Sequence, residues 1–81
     1  MKLGMYSVYD NLAEVFNRPF AETNNNTAIR AYKESTKDNP NSKDFILYHI
    51  GHYNDNSGEM IKLENPVKIS DNYQTIEKEG E

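Results

Sequence analysis

The residues best suited to metal chemistry in this chain are its two histidines, His49 and His52. Both fall in an apolar stretch that predicts a β-strand, where successive side chains point to opposite faces of the sheet. A spacing of three residues therefore predicts imidazoles on opposite faces, where they cannot bind one metal ion. The chain has no cysteine, so thiolate ligands are missing too. We expect no metal and no other cofactor.

Residue patterns typical of catalysis are also missing from the sequence. There is no cysteine nucleophile, no glycine-rich phosphate loop, and no pair of histidines with a carboxylate at metal-ligand spacing. Aspartates and glutamates are frequent, but they are scattered over predicted turns and the last third of the chain. The sequence therefore predicts a protein that is not an enzyme.

A group of cations is the first candidate binding feature. Arg30, Lys33 and Lys37 are spaced three and four residues apart, so on a helix they share one face. Charge-assisted hydrogen bonds to phosphate are strong, and such a face can grip the backbone of DNA. The alternative is a solvated surface on which Arg30 forms an incidental ion pair with Glu34, four residues further along.

Tyrosine rings are the second candidate feature. Aromatic side chains of single-strand binding proteins stack on unpaired bases, whereas the same rings also suit sheet packing and dimer contacts. Tyr6, Tyr9, Tyr48 and Tyr53 lie in predicted strands, so both interpretations stay open. The predicted DNA-binding residues are Arg30, Lys33, Lys37, Tyr6, Tyr48 and Tyr53.

The charge distribution limits how the chain can meet nucleic acid. The net charge is −4, and residues 1–53 carry six Lys/Arg and six Asp/Glu, whereas residues 54–81 carry three and seven. Affinity for nucleic acid depends largely on cations that neutralise phosphates. This balance of positive and negative charges excludes a protein that coats DNA generally. It predicts that any contact with DNA is made through one patch.

Length and composition predict one small domain in a reducing compartment. A chain of 81 residues buries one modest core, and without cysteine it has no disulfide to stabilise the fold. Self-association is the remaining common means of stabilising so small a domain. No stretch resembles the apolar region of a signal peptide, and none approaches the roughly 20 apolar residues of a membrane span. We expect a soluble intracellular protein with no membrane partner.

The hydrophobic pattern predicts an α+β fold with the order ββαββ. Thr27 to Ser35 reads as a helix, with N-cap candidates at residues 24–26 and a stop at Asn39-Pro40. Its apolar face comprises Ala28, Ile29, Tyr32 and Ser35. Extended segments are predicted over residues 3–10, 14–22 with a break at Pro19, 44–53, 59–63 and 66–69. The expected domain is a mainly antiparallel sheet over residues 1–69 with the helix on one face, followed by a flexible acidic tail, 70–81.

The strand predicted over residues 44–53 is apolar on both faces. Phe45 and Leu47 point one way, whereas Ile46, Tyr48 and Ile50 point the other way. One helix covers only one face of a sheet, so another protomer, a ligand or solvent must meet the second. We expect a homodimer whose interface contains Ile46, Tyr48 and Ile50.

Several short motifs, taken in order, resemble a known protein family. They are Tyr6-Ser7-Val8-Tyr9-Asp10, Pro19-Phe20, Ala28-Ile29-Arg30-Ala31-Tyr32, Asp44 with Leu47 and Ile50-Gly51, and a turn closing on Gly58-Glu59. Over residues 3 to 66 the chain resembles the small nonstructural protein of gokushoviruses, tailless single-stranded-DNA phages of the Microviridae. Ala21 stands where that family often has an aromatic residue, and Tyr32 where phenylalanine is usual.

The resemblance implies a role in phage genome replication. It implies a DNA-binding protein that shifts replication from the double-stranded template toward single-stranded genomes, in the host bacterial cytoplasm and absent from the mature virion. Arg30 is the one charged position of the helix motif that transfers, and no catalytic residue does. The alternative is an adaptor that never touches DNA and engages a host or phage replication protein through its sheet face or acidic tail.

Overall fold

A computed structural model describes residues 1–72 of the chain. The elements, in chain order, are strand β1 (Lys2–Asp10), β2 (Val15–Phe16), β3 (Phe20–Glu22), helix α1 (Asn25–Thr36), a 3₁₀ turn (Ser42–Asp44), β4 (Phe45–Asn54) and β5 (Met60–Asp71). The predicted order is confirmed, with the second strand divided into β2 and β3. Residues 73–81, which make up most of the predicted acidic tail, lie outside the described part of the chain.

The strands form one antiparallel sheet in the order β2-β1-β4-β5, and β3 pairs with β1 beside β2. β1 and β4 therefore lie inside the sheet, which agrees with the apolar residues on both of their faces. Helix α1 packs on one face. The predicted α+β fold, with one helix on a mainly antiparallel sheet, is confirmed.

The core between helix and sheet is small. Its fully buried apolar side chains are Tyr6 of β1, Ala28 and Tyr32 of α1, and Leu47 of β4, each with at most 1% of its surface exposed. Partly buried residues surround this cluster, namely Val8, Phe20, Ile29, Phe45 and Ile69. At roughly 25 cal/mol for each Å² of apolar surface buried, so few side chains leave a modest stabilisation.

Helix α1 begins with a reciprocal pair of side-chain hydrogen bonds. The Thr27 N–H donates to Asn24 Oδ1 at 3.0 Å, and the Asn24 N–H donates to Thr27 Oγ1 at 3.3 Å. This capping box satisfies two amides that the first turn of a helix leaves without backbone partners. Within residues 1–72 no helix is long and apolar enough to cross a membrane.

The buried face of α1 differs from the prediction at one position. Thr36 is buried and donates its hydroxyl proton to the Tyr32 carbonyl at 2.9 Å, whereas Ser35, predicted for this face, is exposed. Thr36 follows Tyr32 by four residues and so continues the buried stripe, and the internal hydrogen bond satisfies its hydroxyl.

Pro19 interrupts the second extended segment. β2 pairs Phe16 with Tyr9 and β3 pairs Phe20 with Tyr6, so the register changes by one residue between them. Proline has no N–H to donate to the ladder, which explains why pairing stops there and resumes afterwards.

β4 carries one extra residue opposite β1. Tyr6 pairs with His49 and Met5 pairs with Gly51, so Ile50 has no partner on β1. Such a β-bulge breaks the alternation of faces along a strand. Side chains before and after Ile50 therefore do not follow the simple rule on which the sequence prediction relied.

β5 is longer than predicted. The two extended segments expected after the turn are joined in one edge strand, which ends at Asp71 rather than residue 69. Residues 63–66 form an irregular bulge, because Lys62 pairs with Gly51 and Val67 pairs with His49. Pro66, which cannot donate to the ladder, is tolerated in this bulge.

Candidate nucleic-acid interface

The three predicted cations lie together on the outer face of α1. Arg30, Lys33 and Lys37 are exposed, and Lys37 follows the last helical residue in a helical backbone conformation. Glu34 lies 3.6 Å from Lys37 Nζ rather than pairing with Arg30. Within residues 1–72, Arg30 and Lys33 form no ion pair, so the Arg30–Glu34 pair of the alternative interpretation is not present.

Tyr6 is not placed to stack on DNA. Its side chain is only 1% exposed, and its hydroxyl donates to Asn25 Oδ1 at 2.7 Å. Burial, with a smaller effect from the negative charge of Glu22, raises its pKa above the ordinary tyrosine value. Because its ring is covered, this member of the predicted DNA-binding set is wrong.

Tyr48 lies on the sheet face opposite the helix. Its ring contacts Phe16 with centroids 5.5 Å apart and Tyr9 with centroids 6.2 Å apart, both edge-on. Ile46 pairs with Tyr9 and so shares this face, and Ile50 lines a cavity of about 250 Å³ that Phe16 also lines. We call these five residues the aromatic face.

The aromatic face is partly covered by the chain itself. Ile46, Tyr48 and Ile50 are intermediate in exposure, whereas Phe16 is 42% exposed. Pro66, from the bulge of β5, lines the cavity beside Ile50. The predicted separation of Ile46, Tyr48 and Ile50 from the helix side is confirmed, and the predicted dimer interface stays a prediction. Tyr53 is also half-buried, and it lies at the far end of β4, where it pairs with Leu3 of β1.

The predicted placement of the two histidine rings on opposite faces of the strand is wrong. Their rings lie on the same face of β4, with centroids 5.0 Å apart and planes at 85°. The extra residue Ile50 lies between them and shifts the alternation by one residue. His52 therefore points to the same face as His49. Within residues 1–72, no group of three or more potential ligands could hold a metal ion.

The histidines extend a row of rings across the helix side of the sheet. Phe20 contacts Tyr6 with centroids 6.0 Å apart, and His49 stacks on Tyr6 at 5.0 Å with an interplanar angle of 27°. His52 follows, edge-on to His49. His49 Nε2 lies 2.9 Å from the Gly51 carbonyl oxygen, which fixes the orientation of its ring.

This row of rings borders an open groove of about 610 Å³ at the beginning of α1. We define the ring groove by six of the residues that line it: Lys2, Tyr6, Asn25, Asn26, His49 and His52. A groove of this volume lies within the range of small-molecule sites, roughly 300–1,000 Å³. The row of rings, the loop before α1 and the ends of β1 and β4 thus form one concave surface.

The surroundings of His52 favour the neutral form of its imidazole. Partial burial, followed by the positive charges that His49 and Lys2 can carry, lowers its pKa below the ordinary histidine value. Its imidazole therefore behaves as an aromatic ring with one donor and one acceptor nitrogen. Lys2 is the one Lys or Arg side chain among the residues that line the groove.

The family of the chain follows from comparison with known proteins. Residues 3–75 match the Phage ORF5 protein family. The chain belongs to this family. The match confirms the phage origin that the sequence motifs indicated, while the narrower assignment to gokushoviruses stays a prediction. No curated protein and no solved structure matches the chain.

Sequence reasoning on this Phage ORF5 family protein missed the ring groove. The missing step was the β-bulge at Ile50, without which His49 and His52 appear to point in opposite directions. A glycine inside a strand pattern is the usual sign of a bulge, and Gly51 lies between the two histidines. Lys2 and Asn25 could not be assigned to the groove from sequence, because their places in it depend on the pairing of β1 with β4 and on the packing of α1 over β1.

Proposed function

We propose that this Phage ORF5 family protein is a nonstructural protein that binds DNA and modulates phage genome replication, favouring single-stranded genome synthesis. It acts in the cytoplasm of the host bacterium and is left out of the mature virion. The phage family and the exposed cations of α1 support the proposal.

The observation that carries the proposal is the outer face of α1. Arg30, Lys33 and Lys37 form a stripe that spans about 10 Å along the helix axis at 1.5 Å per residue. Arg30 and Lys33 have no carboxylate partner within residues 1–72, so neither must break an ion pair before it meets a phosphate. The Lys37–Glu34 contact is exposed and long, and it is worth at most about 1 kcal/mol.

We further propose that the protein acts as a homodimer joined through the aromatic face. That face lies on the opposite side of the sheet from α1, so a two-fold pair would leave both helices exposed. Two cation stripes on one dimer bind the same strand with a higher effective concentration than one stripe alone.

The test of DNA binding is a titration of a labelled single-stranded oligonucleotide at two salt concentrations. Three phosphate contacts to a single strand predict a slope of about −2 for log K against log salt, or roughly twentyfold weaker binding after a fourfold rise in salt. The variant R30E/K33E/K37E should lose this binding.

A matched control variant is R18E/K43E/K62E. It makes the same change in net charge at three exposed cations outside α1, so it should retain most of the affinity if contact is confined to the helix. No binding by the unmodified protein even at low salt would overturn the proposal. An equal loss in both variants would overturn the helix stripe as the site.

The second candidate function is the adaptor, and the aromatic face favours it. Partly exposed rings and branched side chains on one surface are typical of protein-binding sites. Capture of partners from infected-cell lysate with and without nuclease separates the two functions. Partners that remain after nuclease treatment support the adaptor, whereas partners lost with the nucleic acid support DNA binding.

A further inference from the structure

We propose that the ring groove holds one unpaired nucleotide of the bound DNA strand, with its base against the histidine rings. This inference rests on the proposed function, because it names the site at which the protein distinguishes single-stranded from double-stranded DNA.

The lining of the ring groove fits a base better than a simple anion. Lys2 is the one Lys or Arg in its lining, and a single lysine is a weak basis for an anion site. Burial and nearby positive charge lower the pKa of His52, which disfavours its charged form. The rings of His49 and His52 offer π surfaces on which any base can stack. His52 is the more useful of the two, because His49 already stacks on Tyr6.

The amide side chains at the beginning of α1 supply complementary hydrogen bonds. Asn25 accepts the Tyr6 hydroxyl proton through Oδ1, and within residues 1–72 its amide nitrogen donates to no protein group. The side chain of Asn26 likewise makes no hydrogen bond to the described protein. A carboxamide presents a donor and an acceptor side by side, which is the pattern that base edges complement.

The ring groove is continuous with the cation stripe of α1. Asn26 precedes Arg30 by four residues, and Lys33 and Lys37 follow at intervals of three and four, so all four side chains share one helical face. From Asn26 to Lys37 this face is about 16 Å long. A strand whose phosphates follow the cations therefore reaches the groove at the amino-terminal end of the helix.

The groove would select single strands for a geometric reason. A base in a duplex is stacked between its neighbours, and its Watson–Crick edge is occupied, so it cannot enter a groove that contacts its face and edge. The cation stripe alone makes no such distinction, because phosphates are present in both forms.

The test compares two labelled probes of about 12 nucleotides with the same backbone, one with bases and one in which every site is abasic. The unmodified protein should bind the base-containing strand about tenfold more tightly, which is the expected effect of one stacked base. H52A should bind both probes with the affinity that the abasic strand shows. H52F, which keeps a ring, should retain most of the preference.

The outcomes separate this inference from the proposed function. Equal binding of both probes by the unmodified protein would overturn the ring groove as a base site while leaving DNA binding intact. Binding of neither probe at low salt would overturn both. A preference that persists unchanged in H52A would also overturn the inference, whereas R30E/K33E/K37E should weaken both probes and keep their ratio.

Discussion

At the scale of single residues, Tyr32 shows how burial connects packing with pH dependence. Its ring is 1% exposed, its hydroxyl donates to the Phe45 carbonyl, and burial together with the negative charge of Asp71 raises its pKa to about 12. The unfolded chain has a tyrosine pKa of about 10. Below pH 10 both states are protonated, so the stabilisation is fully present.

Stability should therefore fall as the pH rises from 10 toward 12, where the unfolded chain releases a proton that Tyr32 keeps in the fold. The loss over that interval is at most about 2.7 kcal/mol. Y32F should lower the free energy of unfolding by about 1 kcal/mol at pH 8, because the hydrogen bond is lost. The free energy of unfolding of this variant should fall less steeply above pH 10. Urea unfolding of both proteins at pH 8, 10 and 11 measures the difference. If the free energies of unfolding of the two proteins fall in parallel above pH 10, the pH dependence does not come from Tyr32.

The histidines show which part of the site the sequence could predict. The strand that carries both rings was predicted correctly, and alternation then assigned the two rings to opposite faces. His49 and His52 broke that rule because Ile50 has no partner on β1, and pairing between distant strands is not encoded in local periodicity. Tyr6 was wrong for a related reason, since its burial depends on α1 packing over β1.

At the scale of elements, the beginning of α1 depends on one side chain among three consecutive asparagines. The Asn24 side chain caps the helix, whereas the Asn26 side chain makes no hydrogen bond within residues 1–72. N24A should lower the free energy of unfolding by about 1 kcal/mol. N26A is the matched control, and its effect on stability should stay within about 0.5 kcal/mol. If urea unfolding shows the same loss of stability for N24A and N26A, the capping box does not stabilise the helix.

The pairing of β4 with β5 depends on Gly51, a position with no room for a side chain. A Cβ at Gly51 would lie 2.5 Å from the Ile61 carbonyl oxygen, which belongs to the backbone and cannot rotate away. G51A should therefore cost about 1–3 kcal/mol, as overpacking does.

G58A provides a comparison for G51A, because Gly58 has φ of +79° with no atom near the added Cβ. Its cost comes from backbone strain alone, about 1 kcal/mol. Thermal or urea unfolding of the two variants compares them directly. A smaller loss in G51A than in G58A would mean that β5 shifts easily at this position.

The elements were predicted well where local signals were strong. The asparagines and Asn39-Pro40 bracketed α1, and the apolar run identified β4 as an interior strand. β5 was predicted in two pieces, over residues 59–63 and 66–69. Its edge position and the bulge at residues 63–66 allow the strand to continue, and both depend on tertiary pairing.

At the scale of the whole molecule, the sheet separates two surfaces of different chemistry. The helix side carries the ring groove and the cation stripe, and the other side carries the aromatic face. The sequence predicted this division from the two apolar faces of β4. It could not predict that Tyr9, Phe16 and Pro66 of the same chain would cover part of the second face.

The proposed homodimer is tested most directly at Tyr48, near the centre of the aromatic face. Light scattering at increasing concentration should give twice the mass of one chain for the unmodified protein and one chain for Y48E, because a carboxylate buried without a partner is costly. V67E is the matched control. Val67 is 51% exposed and pairs with His49, so it lies on the other side of the sheet and should leave the dimer intact.

A single-chain mass for the unmodified protein at high concentration would contradict the dimer. A stable interface buries at least about 1,200 Å² in total, so the cover that Phe16 and Pro66 already provide would then leave too little apolar surface for a second copy. The cation stripe would still be available to DNA, since it lies on the opposite side of the sheet, but the higher effective concentration of two stripes would be lost. Loss of the dimer in V67E as well as Y48E would instead place the contact along β5, whose edge pairs with no other strand within residues 1–72.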